Sequence, residues 1–453
     1  MPDDPKPGRP GGGRIILPGA DTAPEGGSRI ILPPGVARET PEDLPERPRL
    51  RPLVLMPFRD GEREFLLVND PLGVMPQQAV LGMETLPMLQ LLDGSVTVAD
   101  LAAAVMRESK DLRVANAVKD FVAQLDRLLM LESPRFEAAY RELRAQYHRL
   151  EIRPAALEGH SYPAEREALV AFLDGHAAAA ERMRAEAGEP VAPRDAAPRA
   201  LLAPHLDPRR AGATIARAYL ELGPDAPGPL RVVVFGTGHG LVEGPVALTR
   251  KHFETPLGKV PCDTAFVDRV AARLGEEAWR GELAHRDEHS IEFQALYLRH
   301  RLGGRPFTMV PILCGGFHAL VEAGRTPAED PTMGALVEAV REAEAALGGT
   351  TVYVAGVDLS HVGPRFGDGA VDEAVRDEVR ARDQAALGAA EHGDAAAWFE
   401  SIAQHDDSTR ICGFAPTWAM LRCADPGRGR VLRYELSEED DTTVVSIAAM
   451  VWP

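Results

Sequence analysis

Arg231-Val232-Val233-Val234-Phe235-Gly236-Thr237-Gly238-His239-Gly240 is an unbroken apolar run that stops abruptly at a glycine-flanked histidine. An apolar run of strand length with no polar alternation is the pattern of a strand covered on both faces, as in a parallel sheet. Ala200–Ala203, Phe307–Leu313 and Thr351–Ala355 share it. Helical patterns separate these runs, at Ala211–Leu220, Ala265–Leu274, Ser290–Arg301 and Met333–Leu347. Strands and helices in alternation predict an α/β fold, a mostly parallel sheet covered by helices. Val431–Leu436 and Thr443–Val451 read as two further strands, added antiparallel at an edge.

Open α/β sheets bind ligands beyond the carboxyl ends of their strands, so the residues after each run matter most. Ala200–Ala203 leads into Pro204-His205-Leu206-Asp207, and Arg231–Phe235 leads into Gly236-Thr237-Gly238-His239. Thr351–Ala355 leads into Gly356-Val357-Asp358-Leu359-Ser360-His361. A single strand-end histidine is ordinarily a cap or a core residue. Several together, each beside Gly or Pro that lets the chain turn sharply, point to a shared site. Asp207 precedes Pro208 and fits the cap of the next helix better than a ligand.

Two further segments carry chemistry. Ala284-His285-Arg286-Asp287-Glu288-His289-Ser290-Ile291-Glu292 gathers histidines and carboxylates around a helix start. His285 and His289 are spaced to share a helical face, provided the helix begins before His285. Otherwise His289 and Glu288 stand alone. In Thr409-Arg410-Ile411-Cys412-Gly413 a thiol beside an arginine suits either a thiolate of lowered pKa or a metal ligand.

The front of the chain has a different character. About two in five of residues 1–49 are Pro or Gly, a composition that buries too little to repay ordering. Within this tail Arg14-Ile15-Ile16-Leu17-Pro18 recurs as Arg29-Ile30-Ile31-Leu32-Pro33, either a duplicated linker or a repeated peptide that docks on a sheet edge. Residues 50–133 read as a small winged-helix-like α+β domain. Leu53–Phe58 and Glu64–Val68 flank the hairpin signal Asp60-Gly61. Thr97 with Asp100 opens a helix at Val98–Met106, and Val118, Phe121, Val122, Leu125, Leu128 and Leu129 recur at helical spacing. Residues 134–153 read as a connecting helix, with Tyr140, Leu143, Tyr147 and Leu150 on one face, and 154–453 as the α/β domain.

Composition narrows the function. The formal net charge of −18 argues against a general nucleic-acid binder, because phosphate contacts need surplus Lys and Arg. No stretch approaches a membrane span and no secretory leader pattern opens the chain, so a cytoplasmic protein with no membrane association is expected. Four scattered cysteines in a long chain fit free thiols in a reducing compartment.

The motifs together resemble the Memo family, including the "AmmeMemoRadiSam system protein B" members, a family related in fold to LigB-type extradiol dioxygenases. The resemblance rests on Ala203-Pro204-His205, Gly236-Thr237-Gly238-His239, Thr255-Pro256-Leu257-Gly258, Glu288-His289-Ser290-Ile291-Glu292, Asp358-Leu359-Ser360-His361 and Ile411-Cys412-Gly413, in family order. It implies a metal on His205, His239 and Cys412, with Asp358, His361, His289 and Glu288 as candidate catalytic residues. The chain departs from the family at Leu206-Asp207 (usually Gly-aromatic), Thr237-Gly238 (usually Pro-Ser) and Ser446-Ile447 (usually Gly-Tyr). Leu91-Leu92-Asp93-Gly94, Thr97-Val98-Ala99-Asp100-Leu101 and Leu128-Leu129-Met130-Leu131 resemble PqqD-like peptide-recognition modules, which implies a peptide ligand or a radical-SAM protein partner.

Two imidazoles and a thiolate suit iron, copper or zinc, and three protein ligands leave a coordination position open. The expectation is a metal-dependent oxidoreductase using Fe2+, with copper and zinc as alternative ions. A non-catalytic metal-binding interaction protein and a metal-assisted hydrolase are the competing classes.

Overall fold

The computed structural model describes Gly13–Arg14 and residues 44–61, 63–109, 114–440 and 442–453. By packing, the chain divides into two units, Met1–Tyr147 and His148–Pro453.

In the first unit β1 (Val54–Asp60), β2 (Arg63–Asn69) and β3 (Ala79–Gly82) pair antiparallel, and Gly13–Arg14 runs parallel to β3. The rest of both Arg-Ile-Ile-Leu-Pro copies lies outside the described residues. Leu66, Val68, Ala79 and Leu81 alternate along β2 and β3 and form a core with Leu101 of α1 (Val98–Ser109) and Phe121, Val122 and Leu125 of α2 (Val114–Arg127). Thr97 and Asp100 cap α1 reciprocally: the Asp100 N–H donates to Thr97 Oγ1 at 3.0 Å and the Thr97 N–H to Asp100 Oδ2 at 3.2 Å. The following helix, α3 (Pro134–His148), stops short of the expected 153, because the chain is already extended at Ile152–Arg153.

The second unit is built on an eight-stranded sheet. Its four parallel strands lie side by side in the order β4 (Ala200–Ala203), β8 (Thr350–Gly356), β5 (Leu230–Thr237), β7 (Phe307–Cys314). Beyond β7 lies the short antiparallel β6 (Val246–Leu248). Beyond β4 lies β11 (Thr443–Trp452), which also carries β9 (His361–Val362) and β10 (Arg430–Asp440) as antiparallel neighbours. Nearly every residue of the parallel strands is buried, as their unbroken apolar composition requires. One face carries α6 (Thr264–Leu274), α8 (Pro331–Leu347) and α11 (Phe414–Ala424), and the other carries α4 (Arg166–Glu186), α5 (Pro208–Tyr219) and α7 (His289–Leu302). The helix α9 (Glu373–Glu391) packs against α10 (Ala395–Ala403).

Register sets where the site can be. Gly356 at the end of β8 pairs with Ala203 on one side and Gly236 on the other, so β4, β8 and β5 finish level. The start of α7 lies directly on this rim. A Cβ on Gly356 would stand 2.7 Å from the Ser290 carbonyl oxygen and 2.7 Å from Gln294 Cγ, so only glycine admits the helix there.

A buried charge network holds that helix start. Arg153 and Glu292 are both fully buried and paired. Arg153 also donates to the carbonyls of His285 and Glu288, while Glu292 accepts from the N–H groups of Ala156 and Leu157 and from Tyr162 Oη. Removing one partner strands the other charge in the interior. Arg153→Met is therefore expected to cost about 3–5 kcal/mol of unfolding free energy in urea titration.

Candidate metal centre

His205 follows β4, and its backbone N–H donates to Asp358 Oδ1 at 2.9 Å. Its Nδ1 faces the Gly356 carbonyl at 2.8 Å, which places the proton on Nδ1 and the lone pair on Nε2. His239 follows β5, with Nδ1 3.1 Å from both oxygens of Glu288 and its N–H donating to Glu288 Oε2 at 2.8 Å. Glu288 also caps α7 by accepting from the Ser290 N–H, so one buried carboxylate fixes a helix and an imidazole. His361 points Nδ1 at the carbonyls of Leu359 and Arg410, again leaving Nε2 free.

Cys412 reaches the same rim because Gly413 lies against the Asp358 backbone. The Gly413 N–H donates to the Asp358 carbonyl at 3.0 Å, and a Cβ on Gly413 would sit 2.7 Å from that oxygen. Thr237 Oγ1 donates to the Cys412 carbonyl at 2.9 Å from the other side. Cys412 Sγ ends 3.3 Å from His205 Nε2.

One ligand atom each from His205, His239 and Cys412 fall within 4.8 Å of one another. Asp358, His361 and Cys412 form a second such set, and His239, Glu288 and His289 a third. The imidazole centroids of His205, His239 and His289 are 4.7–5.0 Å apart. His205 and Asp358 are buried, Cys412 and His289 half-buried, and His239 exposed, so the cluster opens on the His239 side.

Burial, reinforced by the neighbouring His239, drops the His205 pKa to about 3, and the same causes with His205 added take His289 to about 3. His239 moves the other way: its ring edge is open to solvent, yet the dense surroundings of its inner side oppose charging, and the Glu288 charge and hydrogen bond outweigh this and raise the pKa. Burial also works to raise Glu288, yet the charges of His239 and His289 and the bonds to His239 and Ser290 hold it well below the carboxylate range. Burial, with the Asp358 charge, pushes the Cys412 thiol well up.

Two alternatives that the sequence left open are decided. His285 is apart from the cluster, because α7 begins only at His289: its buried Nε2 faces the Ala247 carbonyl at 3.0 Å, and its Nδ1 has no partner among the described residues. The Cys412 pKa is raised rather than lowered, and the Arg410 guanidinium bonds Asp368 and the carbonyls of His361 and Ser408. Asp207 caps α5 by accepting from the Arg209 N–H. Thr255-Pro256-Leu257-Gly258 closes a turn on itself, Thr255 Oγ1 donating to the Gly258 carbonyl. The support given by Thr237 was missed in sequence, although its unusual type at that position marked it.

The model of the family described as "Memo-like protein" matches residues 153–451. A MEMO1 family protein of Aquifex aeolicus is 25% identical over 90% of this chain and all of its own length, a span that exceeds the second unit and so reaches into the first. Similar too are a MEMO1 family protein of Thermus thermophilus, 30% identical over 72% of this chain and 89% of its own, and one of Methanopyrus kandleri, 28% identical over 56% and 82%. With the family match covering about two thirds of the chain and every residue of the histidine–cysteine rim, the chain belongs to the Memo-like protein family.

Proposed function

We propose that this chain is a metal-dependent redox enzyme whose ion is held by His205 Nε2, His239 Nε2 and Cys412 Sγ. The observation that carries this reading is the preset geometry. Two imidazoles with Nδ1 already occupied bring one ring nitrogen each within 4.8 Å of one sulfur and of each other, and His205 Nε2 stands 3.3 Å from that sulfur. Borderline nitrogen donors with one thiolate fit Fe2+, and fit copper and zinc as well. Bound iron would supply one-electron chemistry and open coordination positions beside the three protein ligands.

The remaining residues have separate tasks. Asp358 receives the N–H groups of His205 and Leu206 on Oδ1, which fixes the first ligand's backbone, while its Oδ2 stays 3.7 Å from His205 Nε2. Glu288 has its oxygens taken by His239, His289 and Ser290, so it orients imidazoles and exchanges no proton. His289, neutral at ordinary pH, holds its proton towards Glu288 at 3.2 Å and keeps Nε2 as a hydrogen-bond acceptor for substrate. His361 offers a second hydrogen-bond acceptor, with a ring nitrogen within 4.8 Å of Cys412 Sγ.

For the front unit we propose a peptide ligand or a radical-SAM protein partner, in line with the resemblance noted above. Val54, Met56 and Phe58 alternate along β1 with their side chains exposed, which supports an extended apolar peptide there.

Chain purified without oxygen should carry about one iron per molecule and consume oxygen with catechol-like or peptide substrates, and Cys412→Ser should lose both. Zinc at full occupancy with no oxygen uptake would overturn the redox reading. The pH dependence follows from the shifts. A raised thiol pKa means Cys412 is protonated in the metal-free site across neutral pH, and His205 is already neutral there. Metal binding must therefore expel the thiol proton, and affinity should rise about tenfold per pH unit. Below the raised His239 pKa a second proton is displaced and the slope should approach about two decades per unit. Chelator-competition titrations between about pH 6 and pH 9 test this, and a flat profile would contradict it.

A further inference from the structure

We propose that Asp383, in α9, is a positioning residue of the metal centre: through the hydroxyls of Ser360 and Thr409 it fixes the two segments that bear Asp358, His361 and Cys412. This rests on the metal-centre reading above. Asp383 is fully buried. Its Oδ1 accepts from Ser360 Oγ at 2.7 Å and its Oδ2 from Tyr434 Oη at 2.8 Å.

Hydrogen counting gives the network a direction. Burial raises the Asp383 pKa, but hydrogen bonds from Ser446, Ser360 and Tyr434 favour the carboxylate, which can only accept the single proton of the Ser360 hydroxyl. The contact of 2.9 Å between Ser360 Oγ and Thr409 Oγ1 must then be donated by Thr409. Ser446 Oγ in turn accepts the Ser360 N–H at 2.8 Å. Asp383 thus ties together the turn after β8, the loop before α11, and the strands β10 and β11. The backbone completes the clamp: His361 N–H donates to the Thr409 carbonyl at 2.7 Å, and Leu359 N–H to the Ser446 carbonyl at 2.9 Å.

The loop needs such a tether. Asp406, Asp407 and Arg410 have φ of 53°, 46° and 54°, left-handed values that cost a non-glycine residue energy and persist only where surroundings enforce them. Thr409 lies inside that strained stretch, and Cys412 stands two residues beyond its end. Asp383 touches no candidate ligand and acts through the two hydroxyls.

Co2+ serves as a visible probe of the thiolate–imidazole set. Asp383→Asn and Ser360→Ala should melt cooperatively, bind Co2+ about tenfold more weakly than the native chain, and shift the thiolate-to-cobalt absorption band. Tyr434→Phe, which cuts the other arm of Asp383, should lower the melting temperature yet keep the native band and affinity. In metal-free protein, iodoacetamide should alkylate Cys412 several-fold faster in Asp383→Asn and Ser360→Ala, with Cys262, Cys314 and Cys423 shielded by burial. Native Co2+ affinity, absorption and alkylation rate in Ser360→Ala would overturn the proposal, as would equal losses in Tyr434→Phe. Should Asp383→Asn fail to fold, Ser360→Ala decides alone. Should the native chain take up no Co2+, the metal reading fails and the alkylation rates still decide whether Asp383 positions Cys412.

Discussion

The level finish of β4, β8 and β5 is the constraint from which the rest of the site follows. Parallel pairing of Ala203, Gly356 and Gly236 brings three strands to one line, so the residues just beyond them emerge as neighbours despite their separation in sequence. Register in a parallel sheet is enforced by burial on both faces, because a slip by one residue would turn every side chain into the wrong layer. The core therefore specifies the site. Absence of a side chain on Gly356 then lets α7 settle on the rim, and the same helix start delivers Glu288 and His289.

Rigidity comes from satisfying the polar groups that the rim buries. An imidazole held only by its metal could rotate, whereas His205, His239 and His361 each have Nδ1 fixed by a carbonyl or a carboxylate. The anchors belong to different elements: β8 for His205, the cap of α7 for His239, and the loop before α11 for His361. Displacing any one element would misalign a different imidazole of the cluster. The Arg153–Glu292 pair belongs to this scheme, since Arg153 binds the carbonyl of Glu288 itself.

What the sequence revealed and what it hid divide along a physical line. Strands that are apolar throughout and end in Gly or Pro show in composition alone, so His205, His239, Asp358 and His361 could be placed at one edge. Cys412 needed the family resemblance, because nothing local says that its loop folds back on Asp358. The condition set on His285 fails, because spacing of four implies a shared face only inside a helix and the cap at Glu288 lies between the two histidines. Asp383 gave no sign, since Arg380, Arg382 and neighbouring acids make α9 look like an exposed charged surface. α11 is buried almost all round and so shows no amphipathic period.

The protonation pattern gives the cluster an economy in charge. Buried charge is costly, and adding a divalent ion to a rim already settled electrostatically would ordinarily demand new counter-charges. Here the metal-free site holds a proton on Cys412, whose pKa is pushed up, and favours one on His239 opposite Glu288. On the proposed reading, an M2+ ion taking Cys412 Sγ and His239 Nε2 would displace both protons where His239 is charged. Two positive charges would leave as two arrive, and the total charge of the rim would be unchanged. Glu288 would then balance a metal-bound imidazole in place of an imidazolium, with the same hydrogen bond from Nδ1. The hydrogen bonds that fix the rim would thus serve both states of the proposed site.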